Sequence, residues 1–243
     1  MVVAIIQARM ASTRFPGKVL KEIVGKPMLL HIVNRLKKAR LVDKIVVATS
    51  RKVQDNPIEK FCRTHKICFY RGDEEDVLDR FYNAAIVFKA GVVVRITADC
   101  PLIDPQIVDL TIKRYLGSAK RYDASSNCLI RTYPRGLDTE VVPFSVLKKV
   151  WQLSDKQHFR EHVTNYLYEH PGVFKVCSVE NSKNLSRLRW TVDELADFKF
   201  VTQVYKRLYQ KRRVFLIEDI LQVVEKEPSL KKINKNIKQK RIK

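Results

Sequence analysis

Three cationic side chains lie in a short loop of small residues near the start of the chain. Arg9, Arg14 and Lys18 are spread through residues 7–18, and Pro16 with Gly17 predicts a turn among them. Cations and the backbone N–H groups of a turn together neutralise a polyphosphate. A solvated basic loop is the plainer interpretation, but the small residues between the cations favour an anion-binding loop. Neither the P-loop pattern nor a GxGxxG pattern occurs in the chain, so neither class of nucleotide-binding loop is predicted.

Two aspartates each follow an apolar segment that predicts a strand. Asp99 follows residues 92–96, and Asp193 follows residues 188–192. Because the carboxyl ends of parallel strands meet at one edge of a sheet, we expect the two carboxylates to lie close together. Taken singly, each aspartate is explained as the cap of a turn or a helix. Together with the basic loop, they predict a Mg²⁺ site for metal-assisted nucleotidyl transfer.

The first half of the chain alternates predicted strands with predicted helices. Uninterrupted apolar runs predict strands buried on both faces, and apolar residues spaced by three or four predict amphipathic helices. Asp104 followed by Pro105 predicts a helix start, with the aspartate as N-cap. The repeated units predict the α/β class, with a mostly parallel sheet and helices on both faces. The predicted strands are residues 2–6, 44–49, 67–70 and 92–96, and the predicted helices are residues 56–64, 75–89 and those that follow Pro27 and Asp104.

The pattern changes after Gly117. Strands are predicted there without helices between them, which indicates a mixed second-half insertion at about residues 120–180. The predicted strands of this half are residues 123–126, 139–142, 173–179 and 188–192, and the predicted helices are residues 145–153, 161–168, 194–209 and 218–224.

The chain ends in a Lys-rich segment. After Glu227 there are seven Lys or Arg residues and no Asp or Glu. Few apolar residues are available there for burial, so we predict that residues 228–243 form a frayed basic tail that catalysis does not need. Residues 1–227 are predicted to form a single domain.

The bulk composition limits the classes of protein and of partner. The 243 residues carry a formal net charge of +21, which favours polyanionic partners. Aromatic residues are not interleaved with the basic ones, so no specific nucleic-acid site is predicted. The five cysteines include no CxxC pair, which predicts a reducing cytoplasm. No apolar run approaches twenty residues, so neither a membrane span nor a signal peptide is predicted.

Several segments, in the same order along the chain, resemble the acylneuraminate cytidylyltransferase family. The resemblance is to the branch of spore coat polysaccharide biosynthesis nucleotidyltransferases. It extends from residue 1 to about residue 225 and leaves the basic tail outside. The matching segments are residues 6–20, 25–27, 71–72, 76–81, 97–104, 136–141, 161–164 and 189–193.

This resemblance implies a Rossmann-like nucleotidyltransferase fold of the GT-A type, a Mg²⁺ cofactor and a homodimer built from the insertion. It implies transfer of CMP from CTP to a sugar acid, nonulosonic or Kdo-like, with release of pyrophosphate, in surface polysaccharide biosynthesis. Arg14 and Lys18 would grip the triphosphate, and Asp99 and Asp193 would ligate the metal. The other implied site residues are Gln7, Ala8, Arg9, Arg80 and again Asp99 for the nucleotide, and Arg135, Gly136, Glu161 and His162 for the sugar.

Three alternatives stay open at this point. His158, Glu161 and His162 fit the H-x-x-E-H pattern of inverted zinc proteases, although the pattern is short and explains nothing about residues 7–18. A glycosyltransferase of the same fold would need an Asp-x-Asp site, whereas Asp99 is followed by Cys100 and a proline. A nucleic-acid-binding protein would bind RNA or DNA in a salt-dependent way without turning over CTP.

Overall fold

The sheet is organised around its first strand, which is apolar on both faces. The structure is a computed structural model and describes residues 1–210 and 214–237. In strand β1, Val3 and Ile5 pack into one hydrophobic core, whereas Ala4 and Ile6 pack into the other. Because successive side chains of a strand point to opposite faces, this alternation places a core on each side of the sheet. The predicted burial of the strand on both faces is confirmed.

Seven strands form the main sheet in the order β5-β4-β1-β6-β8-β7-β9. Strand β1 is parallel to β4 and β6, and β4 is parallel to β5. Strand β8 is antiparallel to both β6 and β7, while β7 and β9 are parallel. A two-stranded hairpin, β2 with β3, stands apart. The strands are β1 Val2–Gln7, β2 Glu22–Ile23, β3 Lys26–Pro27, β4 Lys44–Ser50, β5 Cys68–Gly72, β6 Val92–Thr97, β7 Ala124–Ser126, β8 Glu140–Pro143 and β9 Val176–Ser178.

Helices cover both faces of this sheet. Helices α1, α2, α4, α8, α9 and α10 contribute to the core on the Ala4 side, and α3, α5 and α7 to the core on the Val3 side. The predicted α/β class, mostly parallel sheet and mixed second half are confirmed. The helices are α1 Met28–Leu36, α2 Asn56–Thr64, α3 Val77–Val87, α4 Pro105–Leu116, α5 Phe144–Leu153, α6 Gln157–Glu161, α7 Asn165–Glu169, α8 Leu195–Leu208, α9 Ile217–Lys226 and α10 Ser229–Lys232.

Two predicted elements differ in the structure. The helix predicted over residues 161–168 is divided into α6 and α7, and His162 follows α6 in a non-helical conformation. The strand predicted over residues 188–192 does not form, because its neighbours are loops. One isolated bridge joins Arg189 to Arg135, and Val192 N donates to the carbonyl oxygen of Asp99 at 2.8 Å. The prediction that Asp193 ends a strand is therefore wrong.

The segment after Glu227 is ordered against the rest of the protein where the structure describes it. Helix α10 places Leu230 in the core beside α8 and α9, where its exposure is 3%. Asn234 is also buried. The prediction of a frayed tail is wrong for residues 229–237, and residues 238–243 lie outside the described residues. The division into a domain of residues 1–227 and a tail stays a prediction.

Among residues 1–210 and 214–237, no helix combines the length and the apolar character that crossing a membrane requires.

Candidate active site

A cleft of about 310 Å³ opens at the edge of the sheet where β1 and β6 end. Its walls come from the basic loop after β1, the residues after β6 and the segment before α8. Ligands of open α/β sheets bind at this carboxyl edge of the strands. The lining residues are Gln7, Arg9, Ser12, Thr13, Arg14, Lys18, Val19, Thr97, Ala98, Asp99, Glu161 and Asp193.

The basic loop is held in place by its own turn and by a buried carboxylate. Gly17 adopts a left-handed φ of 69° and donates its N–H to the carbonyl of Met10 at 3.0 Å. Met10 N in turn donates to Oδ1 of Asp55 at 2.7 Å, and Asp55 is fully buried. The loop conformation is therefore fixed before any ligand arrives.

Lys18 lies between the two aspartates that the sequence predicted would converge. Its Nζ donates to the carbonyl of Val192 at 2.6 Å and to Oδ1 of Asp193 at 3.1 Å, and it lies 3.6 Å from Oδ2 of Asp99. The side chain is nearly buried. Because both distances are measured from the same Nζ, Oδ1 of Asp193 and Oδ2 of Asp99 are close neighbours on one ammonium. The predicted proximity of Asp99 and Asp193 is confirmed, although only Asp99 follows the end of a strand.

Asp193 is surrounded by cations. Arg14 Nη2 lies 3.1 Å from Oδ2 of Asp193, and Arg189 Nη2 lies 2.8 Å from the same oxygen. Arg14 also reaches Glu194, at 3.4 Å. Burial acts to raise the pKa of the Asp193 carboxyl, but Lys18, Arg14 and Arg189 together lower the pKa below its ordinary value. Asp193 is therefore an anion at neutral pH.

Thr97 orients the carboxylate of Asp99. Thr97 ends β6 and donates its hydroxyl to Oδ1 of Asp99 at 2.6 Å. Burial, and then the charge of Asp99, raise the pKa of the Cys100 thiol well above its ordinary value. Cys100 is therefore a protonated buried thiol and not a nucleophile.

A glycine permits the close approach of the segment that carries Asp193. Gly136 has φ of 106°, and a Cβ at this position would lie 2.5 Å from Thr191 N and from the carbonyl carbon of Trp190. The neighbouring Arg135 makes two backbone hydrogen bonds to the same segment. Its N–H donates to the carbonyl oxygen of Leu188 at 3.0 Å, and its carbonyl oxygen accepts from Trp190 N at 2.7 Å. The geometry assigns Gly136 to this backbone contact, and Gly136 does not line the cleft.

Arg80 lies fully buried in the first turn of α3. Its Nη1 donates to the carbonyl of Asp73 at 2.6 Å, whereas Nε and Nη2 have no partner among the described residues. Burial lowers the pKa of Arg80 to about 10, opposed by the charge of Asp55 and assisted by that of Arg9. Gly72 makes room for this side chain, since a Cβ there would lie 2.9 Å from Arg80 Cγ. Nε and Nη2 carry three N–H bonds, and these are buried without an acceptor among the described residues.

The predicted site residues fall into two groups. Seven of them line the cleft. Five do not: Ala8 and Arg80 are buried, Gly136 packs against backbone, Arg135 is half-buried, and His162 follows α6. Burial lowers the pKa of His162 below its ordinary value. The seven residues that line the cleft are Gln7, Arg9, Arg14, Lys18, Asp99, Glu161 and Asp193.

Sequence reasoning assigned no role to Arg189 and Asp197. Arg189 Nε donates to Oδ1 of Asp197 at 2.9 Å, and Asp197 is fully buried. Residues 189, 193 and 197 are spaced by four, and this recurrence of charges was the available signal. Because the segment before α8 is not helical, the spacing alone did not predict their contact.

The cleft provides oxygen ligands that suit a hard divalent cation. Asp99 and Asp193 both present carboxylate oxygens to the Lys18 ammonium. No group of three or more His, Cys, Asp and Glu side chains arranged to hold a metal occurs within residues 1–210 and 214–237. Since Mg²⁺ is commonly bound by one or two carboxylates with phosphates and water, the two aspartates fit this ion.

The H-x-x-E-H pattern does not form a helical zinc site. Helix α6 ends at Glu161, and His162 has φ of −110° and ψ of 86°. His158 Nε2 lies 3.5 Å from a carboxylate oxygen of Glu169. Within the residues that the structure describes, no group of three or more His, Cys, Asp and Glu side chains could hold a metal, so the two histidines lack the further ligand that zinc requires.

Comparison with known proteins agrees with the chemistry of the cleft. A family model described as cytidylyltransferase matches residues 3–241. The spore coat polysaccharide biosynthesis protein SpsF of Bacillus subtilis is 34% identical over 216 residues, which span 85% of each chain. The 3-deoxy-manno-octulosonate cytidylyltransferase of Pelobacter propionicus is 29% identical, over 77% of this chain and 84% of that protein.

A solved structure extends the likeness to the whole fold. A cytidylyltransferase from Leptospira borgpetersenii superposes with a TM-score of 0.91 at 31% identity, and 99% of both chains is covered. The predicted Rossmann-like nucleotidyltransferase fold is confirmed. With the family match over nearly its full length, the chain belongs to the cytidylyltransferase family.

Proposed function

We propose that this protein transfers CMP from CTP to a sugar acid of the nonulosonic or Kdo-like type, with release of pyrophosphate. The observation that carries the proposal is the arrangement of Lys18 and Arg14 against Asp99 and Asp193 at the carboxyl edge of the sheet. It combines cations for a triphosphate with carboxylates for the accompanying metal. The names of the relatives, with spore coat polysaccharide biosynthesis and 3-deoxy-manno-octulosonate among them, support a role in surface polysaccharide biosynthesis.

The reaction is an in-line attack of a sugar hydroxyl on the α-phosphorus of CTP. The new P–O bond forms as the bond to the β-phosphate oxygen breaks, and pyrophosphate leaves while the hydroxyl loses its proton. This chemistry depends on positioning and on neutralising charge more than on covalent catalysis. Lys18 and Arg14 supply two of the positive charges, and Arg9 lines the same cleft.

The charges of the cleft are mutually compensated without nucleotide, so binding exchanges partners. Lys18 and Arg14 contact Asp193, and a triphosphate would draw both cations toward its oxygens. Mg²⁺ held by Asp99 and Asp193 would supply the charge that neutralises the phosphates. Because the loop is fixed through Gly17 and Asp55, this exchange requires side-chain movement and little change of backbone.

Two residues outside the phosphate region have the chemistry to bind the rest of the substrates. The buried guanidinium of Arg80 has Nε and Nη2 without partners among the described residues, and these atoms would suit the carbonyl oxygen of a pyrimidine base once side-chain movement exposes them. The guanidinium of Arg135 has no hydrogen bond or ion pair to any described residue. Burial, and then the charge of Arg131, lower the pKa of Arg135. A sugar carboxylate would relieve the repulsion between the two arginines.

Pyrophosphate release tests the proposal directly. The protein is incubated with Mg²⁺, each of the four nucleoside triphosphates and a panel of nonulosonic and Kdo-like sugars. We expect release with CTP to exceed that with ATP, GTP and UTP once the correct sugar is present. A Lys18→Met protein, tested with the same pairs, is the control for contaminating activity. Equal use of all four nucleotides, or release without any sugar acid, would contradict the assignment.

The proposed setting is a homodimer in the cytoplasm. All five cysteines are free thiols, which supports a reducing compartment. The insertion exposes Leu129 and Ile130, at 41% and 54%, and such side chains suit a contact between two copies. Sedimentation of the protein and of an Ile130→Asp variant tests the dimer, and monomers at every concentration would contradict it.

A further inference from the structure

Asp193 lies in a loop, and its orientation is set by Arg189 of the same loop and by Asp197 in the first turn of α8. Its N–H donates to Oδ2 of Asp197 at 3.0 Å, and its carboxylate accepts from Arg189. Arg189 Nη2 also donates to Oδ2 of Asp197, at 3.0 Å. The Arg189–Asp197 pair therefore fixes both the backbone and the side chain of Asp193.

Asp197 is fully buried and saturated with hydrogen bonds. Its Oδ2 accepts from the backbone of Asp193 and of Glu194, and its Oδ1 accepts from Arg189 and from Asn234. A buried carboxylate with this many donors has one preferred position. Asn234 supplies one of the two side-chain donors to Oδ1, so its loss would leave Arg189 alone on that oxygen.

Asn234 contributes from the segment that was predicted to be a frayed tail. Its Nδ2 donates to Oδ1 of Asp197 at 3.0 Å and to the carbonyl oxygen of Arg189 at 2.9 Å. Both amide hydrogens are thus used on the two members of the pair. The side chain is 7% exposed, and the adjacent α10 is anchored by the buried Leu230. The segment joins the site by hydrogen bonds as well as by packing.

We propose that Asn234 is a positioning residue for the carboxylate of Asp193, acting through Arg189 and Asp197. This inference rests on the proposed role of Asp193 toward a metal-bound nucleotide. Residues that hydrogen-bond to metal ligands, directly or through such a pair, fix the orientation of those ligands and strengthen metal binding. It replaces the prediction that catalysis does not need the residues after Glu227.

The test replaces the amide with an apolar group of similar size, in Asn234→Leu, within the full chain. Binding of Mn²⁺ in the presence of CTP is followed by electron paramagnetic resonance, and kcat and KM for CTP are measured alongside. We expect Mn²⁺ affinity to fall about tenfold, as for other residues that orient metal ligands. Turnover should fall with it, while KM for CTP at saturating metal changes little.

A matched control separates positioning from packing. Leu230→Ala removes a buried side chain of the same segment that has no polar contact with Asp197. It should lower the melting temperature while leaving Mn²⁺ affinity within about twofold of the wild type. Asn234→Ser, which keeps one donor, should give an intermediate affinity. It also provides a readout if the leucine variant fails to fold.

A double-mutant cycle gives the sharpest result. In an Asp193→Asn background, Asn234→Leu should cause no further loss of Mn²⁺ affinity, because the residue acts through Asp193. An Asn234→Leu protein with wild-type Mn²⁺ affinity and only reduced stability would overturn the inference. Absence of Mn²⁺ and CTP binding in the wild type would instead overturn the proposed function, and this inference with it.

Discussion

Replacement of Lys18 by methionine would leave two carboxylates facing each other in a nearly buried space. The ammonium lies 3.1 Å from Asp193 and 3.6 Å from Asp99. At an effective dielectric constant of about 20, each contact amounts to about 5 kcal/mol before desolvation is subtracted. Removing one partner of a buried ion pair costs about 3–5 kcal/mol net. We expect the lower end, about 3 kcal/mol, because Arg14 and Arg189 remain on Asp193.

This loss should depend on Mg²⁺. In a protein of this length, a loss of about 3 kcal/mol corresponds to a fall in melting temperature of roughly 6–12 °C. Without the competing ammonium, the two carboxylates should bind Mg²⁺ more tightly than in the wild type. If the variant binds Mg²⁺ tenfold more tightly than the wild type, saturating Mg²⁺ should stabilise the variant by about 1.4 kcal/mol more than it stabilises the wild type. Turnover should nevertheless fall about a hundredfold, because a phosphate-stabilising cation is missing.

The assay is thermal unfolding of Lys18→Met and wild type, with and without Mg²⁺, beside pyrophosphate release at saturating CTP. Arg14→Met is the matched control, since Arg14 is 27% exposed and its partner Glu194 is 41% exposed. That change should cost about 1 kcal/mol or less in stability but a similar factor in turnover. If Mg²⁺ stabilises Lys18→Met no more than it stabilises the wild type, the aspartates do not form a common cation site.

Three further results are expected. Asp99→Asn and Asp193→Asn should each abolish most turnover in a folded protein, and turnover of the double variant should be hardly lower than that of either single variant. Steady-state kinetics measure turnover, and circular dichroism checks that each variant is folded. Glu140→Gln should lose about 3 kcal/mol at neutral pH by leaving Arg95 unpaired. Burial acts to raise the pKa of the Glu140 carboxyl, but Arg95, Thr164 and Tyr168 lower it overall. The stability that the ionised Glu140 contributes is therefore fully present above about pH 4.3, the ordinary pKa of a glutamate, and is lost as the pH falls through the lowered pKa of the folded protein. The free energies of unfolding of Glu140→Gln and the wild type, measured by denaturant titration across pH, should therefore converge in acid. A difference that stays constant with pH would refute the lowered pKa of Glu140. Gly136→Ala should cost about 3 kcal/mol in denaturant unfolding, because the new Cβ meets the backbone of Trp190 and Thr191, and a neutral result would refute the close approach.

The central strands and the start of α4 could be predicted because their signals are local. A strand buried on both faces is apolar at every position, and residues 2–6 have this composition. Asp104 caps its helix within three residues, with Oδ1 accepting from Gln106 N at 2.8 Å. The basic loop could be predicted for the same reason, since its cations and its turn lie within one short segment.

The path of the chain into Asp193 could not be predicted in this way. Residues 188–192 have the composition of a strand, but their backbone hydrogen bonds to other segments go to two single loop residues, Arg135 and Asp99. The role of Asn234 was equally hidden, because a polar residue in a Lys-rich segment is ordinarily exposed. Its burial depends on a carboxylate 37 positions earlier in the chain. Local patterns define elements, whereas these two features depend on contacts that only the assembled fold creates.

The separation of the site residues along the chain has a consequence for biosynthesis. Lys18 and Asp193 lie 175 positions apart, and Asn234 follows later still. On the ribosome the basic loop and the parallel strands are made first, and domains generally begin to fold as they emerge. During that interval Arg14 lacks both of its carboxylate partners, Asp193 and Glu194, and Lys18 has only Asp99. The cleft is therefore complete only after residues 193–234 have left the ribosome, and until then its basic loop carries an excess of positive charge.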